Sequence, residues 1–250
     1  MRIKKILVSQ PKPENGKSPY YELAEKNNIH IDFRPFTQIE GIPAKEFRQC
    51  RIDILNHSAI IFNSKTAIDH FFRICEEMRV TVPDSMKYFC ISESTAFYLQ
   101  KYIVYRKRKI FYGTGKIDDL MELITKYNDG NFLVPLSDKH ADELPKALDK
   151  YKIKYNIAIL YKTICSDLSD LSDLDYDILV FFSPSGIKSL FKNYPQFKQN
   201  NTKIASFGES TAKAVKEAGL RLDIEAPTPE APSMTMALDV FIRGFNKNNK

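Results

Sequence analysis

Hydroxyl side chains recur where predicted strands give way to helices, and hydroxyls in such turns can bind an anion. The apolar run ending at Phe62 is followed by Ser64, and the run ending at Phe182 is followed by Ser183 and Ser185. Helix N-termini present backbone N–H groups and a partial positive charge, so a nearby hydroxyl adds one more donor for a carboxylate. The same residue types also cap helices without binding any ligand, and for a single serine both interpretations stay open.

The hydroxyl turns belong to a repeat within the chain. Residues 61–72 match residues 180–191, and Glu93-Ser94-Thr95-Ala96 is matched by Glu209-Ser210-Thr211-Ala212. Ser64 lies 29 positions before Glu93, and Ser183 lies 26 positions before Glu209. Two motifs that recur in the same order at similar spacing predict two similar lobes that share one ligand cleft.

Two other turns are candidates for the same cleft. Gly113-Thr114-Gly115-Lys116 joins a strand to a helix but lacks the spacing of nucleotide-binding loops, so its amides and Lys116 suit a carboxylate better than a nucleotide. Pro227-Thr228-Pro229 is a stiff loop before the last helix, and it is either a simple connecting loop or a rim of the cleft.

The elements that must position these turns alternate between short apolar runs and helical patterns. This alternation is typical of α/β proteins with parallel sheets flanked by helices, in which ligands bind beyond the carboxyl ends of the strands. A longer extended run covers 155–163, and another extended segment covers 29–36. Short strands are predicted over 3–8, 59–62, 87–91, 110–112, 131–135, 177–182, 203–207 and 222–225.

The charge of the chain favours an acidic partner. Its 250 residues include 37 Lys and Arg against 31 Asp and Glu, a formal net charge of +6. The basic run 106–109 raises nucleic acid as one alternative, but no nucleic-acid module accompanies it, and such runs more often form a solvated strand end. The acidic repeat 167–175 is predicted to be an exposed return between the lobes.

Several classes of protein are disfavoured by the remaining residues. The four cysteines have neither metal-ligand nor disulfide spacing, and the scattered histidines predict no metal site; His70 is expected at a helix surface. The first apolar stretch spans about five residues, which is too short for a signal peptide or a membrane span. We therefore expect a cytoplasmic protein without a metal.

Four segments in the chain resemble the uroporphyrinogen-III synthase family. They are residues 160–163 (LYKT), 181–186 (FFSPSG), 204–220 (IASFGESTAKAVKEAGL) and 227–229 (PTP), and the resemblance covers nearly the whole chain. The resemblance implies two α/β lobes joined by a two-stranded antiparallel linker. By this resemblance, residues 1–36 with 171–250 form one discontinuous lobe and 37–166 form the inserted lobe, with crossing strands near 29–37 and 157–165.

The same resemblance implies an activity in tetrapyrrole and heme biosynthesis. Members of the family cyclise hydroxymethylbilane, a linear tetrapyrrole with eight carboxylates, to uroporphyrinogen III, with inversion of the last pyrrole ring and loss of water. No cofactor is implied, and the expected partner is this small polycarboxylate rather than nucleic acid or a membrane. We expect a monomer whose main task is to position a reactive substrate.

The resemblance also assigns roles to individual residues. The family's tyrosine falls on Tyr161, which is expected to assist departure of the substrate hydroxyl as a hydrogen-bond donor or general acid. Tyr161 is one of 13 tyrosines in the chain, and without the resemblance the preferred interpretation is that it packs a hinge. The expected substrate contacts are Ser64, Ser94, Thr95, Gly113, Thr114, Gly115, Ser183, Ser185, Ser210, Thr211 and Thr228.

Two departures from the family pattern affect these assignments. The first-strand motif, usually Thr-Arg-Pro, is Ser9-Gln10-Pro11 here, which removes an arginine and leaves Lys12 as the nearest replacement. The glycine before the second Glu-Ser-Thr-Ala motif is kept as Gly208, but Ser92 stands in its place before the first. The alternative to an enzyme is a non-catalytic, two-lobed cytoplasmic protein that binds an anionic small molecule.

Overall fold

The chain forms two compact units in a computed structural model that describes residues 2–14, 16–127, 130–171 and 174–248. Unit 1 comprises Met1–Gln38 and Ile164–Lys250, and unit 2 is the continuous segment Ile39–Thr163. No helix within these described ranges is long and apolar enough to cross a membrane.

Strands and helices alternate through both units. In chain order they are β1 (Lys5–Val8), α1 (Pro19–Asn27), β2 (His30–Phe33), β3 (Thr37–Gly41), α2 (Ala44–Gln49), β4 (Ala59–Phe62), α3 (Lys65–Met78), β5 (Lys87–Cys90), α4 (Glu93–Tyr98), β6 (Ile110–Tyr112), α5 (Ile117–Lys126), β7 (Phe132–Ser137), α6 (Glu143–Lys150), β8 (Tyr155–Cys165), β9 (Ile178–Phe181), α7 (Pro184–Asn193), β10 (Lys203–Phe207), α8 (Glu209–Glu217), β11 (Ile224–Ala226) and α9 (Met234–Asn248).

Unit 1 is built on a five-stranded sheet in the order β11-β10-β9-β1-β2, and all four neighbouring pairs are parallel. Successive residues of a strand point to opposite faces, so a strand that is apolar throughout supplies two cores. Ile6 and Val8 pack on one face and Leu7 on the other. Helices flank the sheet, and the predicted α/β class with parallel sheets is confirmed.

Unit 2 contains a six-stranded sheet in the order β3-β8-β7-β4-β5-β6, in which β4 to β8 pair in parallel. Its central strand β4 is buried at every position. Ile60 and Phe62 pack into one core, and Ala59 and Ile61 pack into the other. The amphipathic helix α3 covers the first of these cores with Ile68, Phe71 and Ile74, which follow helical spacing.

The predicted crossing strand near 29–37 is wrong in its extent. The structure has two shorter strands there: β2, which pairs in parallel with β1, and β3, which lies beside β8. Pro35 lies between them, and since proline has no N–H to donate to a sheet, it separates the two segments. The second predicted crossing strand, 157–165, lies within β8. The antiparallel direction of the linker stays a prediction.

The acidic segment after β8 is not simply exposed, as the sequence suggested. Leu168 has none of its surface exposed and packs with Phe36 and Leu179 in unit 1, while Asp170 forms an ion pair with Arg34. The alternation of leucine with acidic residues explains this arrangement, because the leucines bury while the carboxylates face solvent. Residues 172 and 173 of this segment lie outside the described residues.

Candidate functional site

The predicted hydroxyl turns lie at the carboxyl ends of parallel strands in each unit. In unit 2 they follow β4, β5 and β6, and in unit 1 they follow β9 and β10. Because neighbouring strands run in the same direction, the turns of one unit lie along one edge of its sheet. This is the edge at which open α/β sheets bind ligands.

Tyr161 is directed into unit 2 by a break in strand register. Leu136 of β7 pairs with Ile159 of β8, but the next residue, Ser137, pairs with Tyr161, so Leu160 is an extra residue on β8. A bulge of this kind interrupts the regular alternation of side chains and re-aims the residue beside it. Leu160 and Tyr161 are consequently both buried, with 8% of Tyr161 exposed.

The phenol of Tyr161 is placed by two residues of the β4–α3 segment. Its ring stacks on the His70 ring, with centroids 4.9 Å apart and an interplanar angle of 18°. Its hydroxyl lies 3.4 Å from Ser64 Oγ. Ser64 is also the N-cap of α3, where its Oγ accepts a hydrogen bond from the Ala67 N–H at 3.1 Å.

The hydrogen bond that Ser64 accepts at the cap is compatible with Tyr161 acting as a proton donor. Because Ser64 Oγ accepts from the helix, its own O–H is available to donate to the Tyr161 oxygen. In that arrangement the phenol proton points away from the serine and can be given to another acceptor. Ser64 can therefore cap α3 and contact Tyr161 at the same time.

Ser92, rather than Ser94, caps α4. Its Oγ accepts from the Thr95 N–H at 3.4 Å and lies 3.1 Å from Ser94 Oγ and 3.0 Å from Thr95 Oγ1. Both predicted contact residues thus share Ser92 as a hydroxyl partner, at the position where the family pattern has a glycine. Ser94 is exposed and Thr95 is buried, so Ser94 is the more accessible of the two.

The glycine turn after β6 is held by its own backbone. The Gly113 N–H donates to Cys90 O at 3.0 Å and the Gly115 N–H donates to Ile91 O at 2.8 Å, so these two amides are already used. Gly115 has φ +102°, a conformation that favours glycine. The Thr114 hydroxyl donates to Asp119, and this leaves the exposed Lys116 as the donor on which an anion-binding role of the turn rests.

In unit 1, the two serines of the β9–α7 turn differ in what they contact. Ser183 is the N-cap of α7, and its Oγ accepts from the Gly186 N–H at 3.3 Å. Ser185 lies in the first turn of α7, and no side-chain hydrogen bond ties it to the residues that the structure describes. Ser183 therefore has a structural role, and Ser185 has a hydroxyl to offer a ligand.

The start of α8 is open because its N-cap has no side chain. Gly208 occupies that position with φ +86°, and its N–H donates to Ala226 O at 2.6 Å. A helix without a side-chain cap keeps first-turn N–H groups for solvent or a ligand. Ser210 is exposed in this turn, whereas Thr211 is 1% exposed and its Oγ1 has no hydrogen-bond partner among the described residues.

The remaining candidates sit in loops of unit 1. Thr228 closes its own loop, since its Oγ1 accepts from the Ala231 N–H at 3.0 Å and its N–H donates to Ala231 O at 3.0 Å. In the first-strand turn, Gln10 and Lys12 are both exposed, and the Ser9 N–H donates to Val180 O. Lys12 is thus accessible, as its expected role requires.

The contrast between Ser183 and Ser185 gives a testable prediction. Replacing Ser183 by alanine removes a cap, and we expect the free energy of unfolding to fall by about 1 kcal/mol. Ser185→Ala, two positions away in the same turn, is the matched control and should change it by less than about 0.5 kcal/mol. Urea denaturation measures both, and equal losses in the two variants would contradict the assignment of the cap.

Comparisons of the sequence and the structure with known proteins match the chain to one family. The sequence profile of the family described as uroporphyrinogen-III synthase HemD matches residues 18–236. The uroporphyrinogen-III synthase of Saccharomyces cerevisiae is 26% identical over 143 residues, which cover 51% of this chain and 51% of the yeast protein. The matched stretch thus spans about half the length of that relative.

Two solved structures share the fold. Uroporphyrinogen-III synthetase from Helicobacter pylori has a TM-score of 0.60 at 18% identity and covers 96% of this chain and 99% of its own. A mutant uroporphyrinogen III synthase from Thermus thermophilus has a TM-score of 0.52 at 17% identity, with 98% and 99% of the two chains covered. At these identities the likeness establishes the fold of the chain.

Proposed function

The chain belongs to the uroporphyrinogen-III synthase family, and on that basis we propose that it cyclises hydroxymethylbilane to uroporphyrinogen III in heme biosynthesis. The observation that carries this proposal is the placement of Tyr161, a buried phenol whose oxygen lies 3.4 Å from the Oγ of the capping Ser64. We further propose that the enzyme acts in the cytoplasm as a monomer and without a cofactor.

Tyr161 assists the first step, in which the substrate loses its hydroxyl. Hydroxide is a poor leaving group, so donation of the phenol proton lets it depart as water and leaves an azafulvene-type cation on the tetrapyrrole. Attack by a substituted carbon of the last ring gives a spiro intermediate, whose fragmentation and reclosure invert that ring. The proton released when the macrocycle closes restores the phenol.

The other side chains hold the substrate's eight carboxylates. The exposed or unshared hydroxyls of Ser185 and Ser210 suit this role best, together with the open first turn of α8 after Gly208. Lys12 and Lys116 add positive charge at the ends of β1 and β6. Contacts from the remaining predicted residues are part of the same proposal: Ser64, Ser94, Thr95, Gly113, Thr114, Gly115, Ser183, Thr211 and Thr228.

The direct test is the product of the reaction. Purified protein is incubated with hydroxymethylbilane, and the uroporphyrin isomers are separated after oxidation. We expect type III product in excess over the spontaneous reaction, which closes the chain without inversion to type I. A mixture no richer in type III than the protein-free control would refute the enzymatic function. Binding of the substrate without conversion would instead support the non-catalytic alternative.

A further inference from the structure

The rings of Tyr161 and His70 stack on each other, and His70 has no role in the reaction proposed above. His70 lies on α3, 91 positions before Tyr161, and its half-buried ring covers one face of the phenol. A nearly parallel contact with centroids 4.9 Å apart restricts how the phenol can rotate or tilt. The direction of the Tyr161 O–H therefore depends on where the imidazole is held.

Arg73 holds the imidazole, one helical turn along α3. Its Nε donates to His70 Nδ1 at 3.2 Å, and its Nη2 donates to Ile42 O at 2.9 Å and to Leu160 O at 3.1 Å. Leu160 is the extra residue of the bulge that orients Tyr161. One guanidinium thus fixes both the ring that stacks on the tyrosine and the backbone next to it.

The same contacts define the protonation state of His70. Because Nδ1 accepts from Arg73, the ring proton lies on Nε2 and the imidazole is neutral. Burial, and then the nearby positive charge of Arg73, lower the pKa of His70. A neutral ring can keep both the stack and the Arg73 hydrogen bond, whereas an imidazolium would have to give up that bond.

The guanidinium reaches this position only because residue 41 has no side chain. A Cβ built on Gly41 would lie 2.7 Å from Arg73 Cζ and 2.8 Å from both Nε and Nη2. These distances are shorter than van der Waals contact, so any larger residue would displace the guanidinium. Gly41 is therefore part of the same arrangement through its contact with Arg73.

We infer that His70 is a positioning residue for Tyr161, and that Arg73, admitted by Gly41, holds His70 in place. The inference rests on the proposed function, because it concerns how the phenol is aimed at the substrate hydroxyl. His70 takes no proton from the reaction. Its contribution is to confine the phenol to the orientation in which the O–H faces the leaving group.

The primary test replaces the imidazole by a flat ring or by a branched chain. His70→Phe keeps a stacking surface, and we expect its kcat to stay within about threefold of wild type. In His70→Leu the phenol loses the flat partner, and we expect kcat to fall about tenfold while KM changes less than about twofold. Equal kcat in all three proteins, or an equal loss in both variants, would overturn the inference.

A double substitution separates the positioning of the Tyr161 phenol from general damage to the fold. In a Tyr161→Phe background there is no phenol proton to aim, so adding His70→Leu should lower kcat no further. Gly41→Ala should lower kcat about as much as His70→Leu, because displacing Arg73 also removes its hydrogen bond to the Leu160 backbone, a bond that His70→Phe leaves in place. Gly16→Ala, where the added Cβ would meet open space, is the matched control and should have no effect. A further drop of tenfold in the double variant would contradict the inference.

The activity of the wild-type protein keeps the two hypotheses apart. If the unaltered chain gives no excess of type III product, the proposed function fails before any variant is compared. If the unaltered chain is active and His70→Leu has wild-type kcat, the function stands and only the positioning role is refuted.

Discussion

Replacing Tyr161 by phenylalanine should lower kcat by about 100-fold or more and leave KM within about twofold of wild type. The phenol acts on the departing hydroxyl, so its loss removes stabilisation from the transition state but little from the bound substrate. A positioned proton donor contributes on the order of 10²–10⁴ in rate. Steady-state kinetics with freshly prepared hydroxymethylbilane measures both constants, and slower turnover should shift the product towards type I.

The variant should remain folded, which makes this result interpretable. Tyr161→Phe removes one hydroxyl with a single long contact of 3.4 Å, and we expect the free energy of unfolding to change by less than about 1 kcal/mol. Tyr155→Phe is a matched control on the same strand, because it also removes a hydrogen bond, to Asp149, but outside the proposed site. Wild-type kcat in Tyr161→Phe would reduce Tyr161 to a packing residue.

Thr211→Val is expected to stabilise the protein and weaken substrate binding at the same time. The Thr211 hydroxyl is buried without a partner among the described residues, and such a group costs about 1–3 kcal/mol of folding free energy. Valine has nearly the same shape and removes that cost. If the hydroxyl binds a substrate carboxylate, KM should rise about tenfold, since a hydrogen bond to a charged group contributes about 1.5–3 kcal/mol.

Ser206→Ala is the matched control for this prediction. Ser206 Oγ is also buried without a partner among the described residues, but Ser206 lies within β10 and is not a proposed substrate contact. We expect its removal to raise stability without changing KM. Thermal denaturation and initial-rate kinetics test both variants. A loss of stability in Thr211→Val, with KM unchanged, would show that the threonine serves the fold alone.

The local sequence pattern was sufficient to predict most of the strands and the positions of the turns. The strand at 59–62 and the strand at 110–112 have the predicted bounds, because each is a short apolar run bounded by polar residues or glycine. The hydroxyl turns fall at the ends of the strands for the same reason. The membership in the uroporphyrinogen-III synthase family, inferred from four short segments, is confirmed.

Contacts between distant parts of the chain could not be predicted in this way. Nothing in the sequence signals that His70 stacks on Tyr161, since the contact depends on a bulge at Leu160 that shifts the register by one residue. The choice of Ser92 as the cap of α4 was equally inaccessible, because Ser94 has the same side chain two positions later and only backbone geometry distinguishes them.

The order of strands in the two sheets bears on how such a chain could arise. Across unit 2 the parallel strands run β8-β7-β4-β5-β6, and across unit 1 they run β2-β1-β9-β10-β11. The two orders become identical when β9, β10, β11, β1 and β2 are equated with β4 to β8, so unit 1 is a circular permutant of unit 2. The Ile3 N–H donates to Asn246 Oδ1 at 3.1 Å, so the permuted ends already lie side by side. A tandem duplication of one ancestor with five strands equivalent to β1, β2, β9, β10 and β11 would produce this order, with unit 2 formed by the last three strands of the first copy and the first two strands of the second.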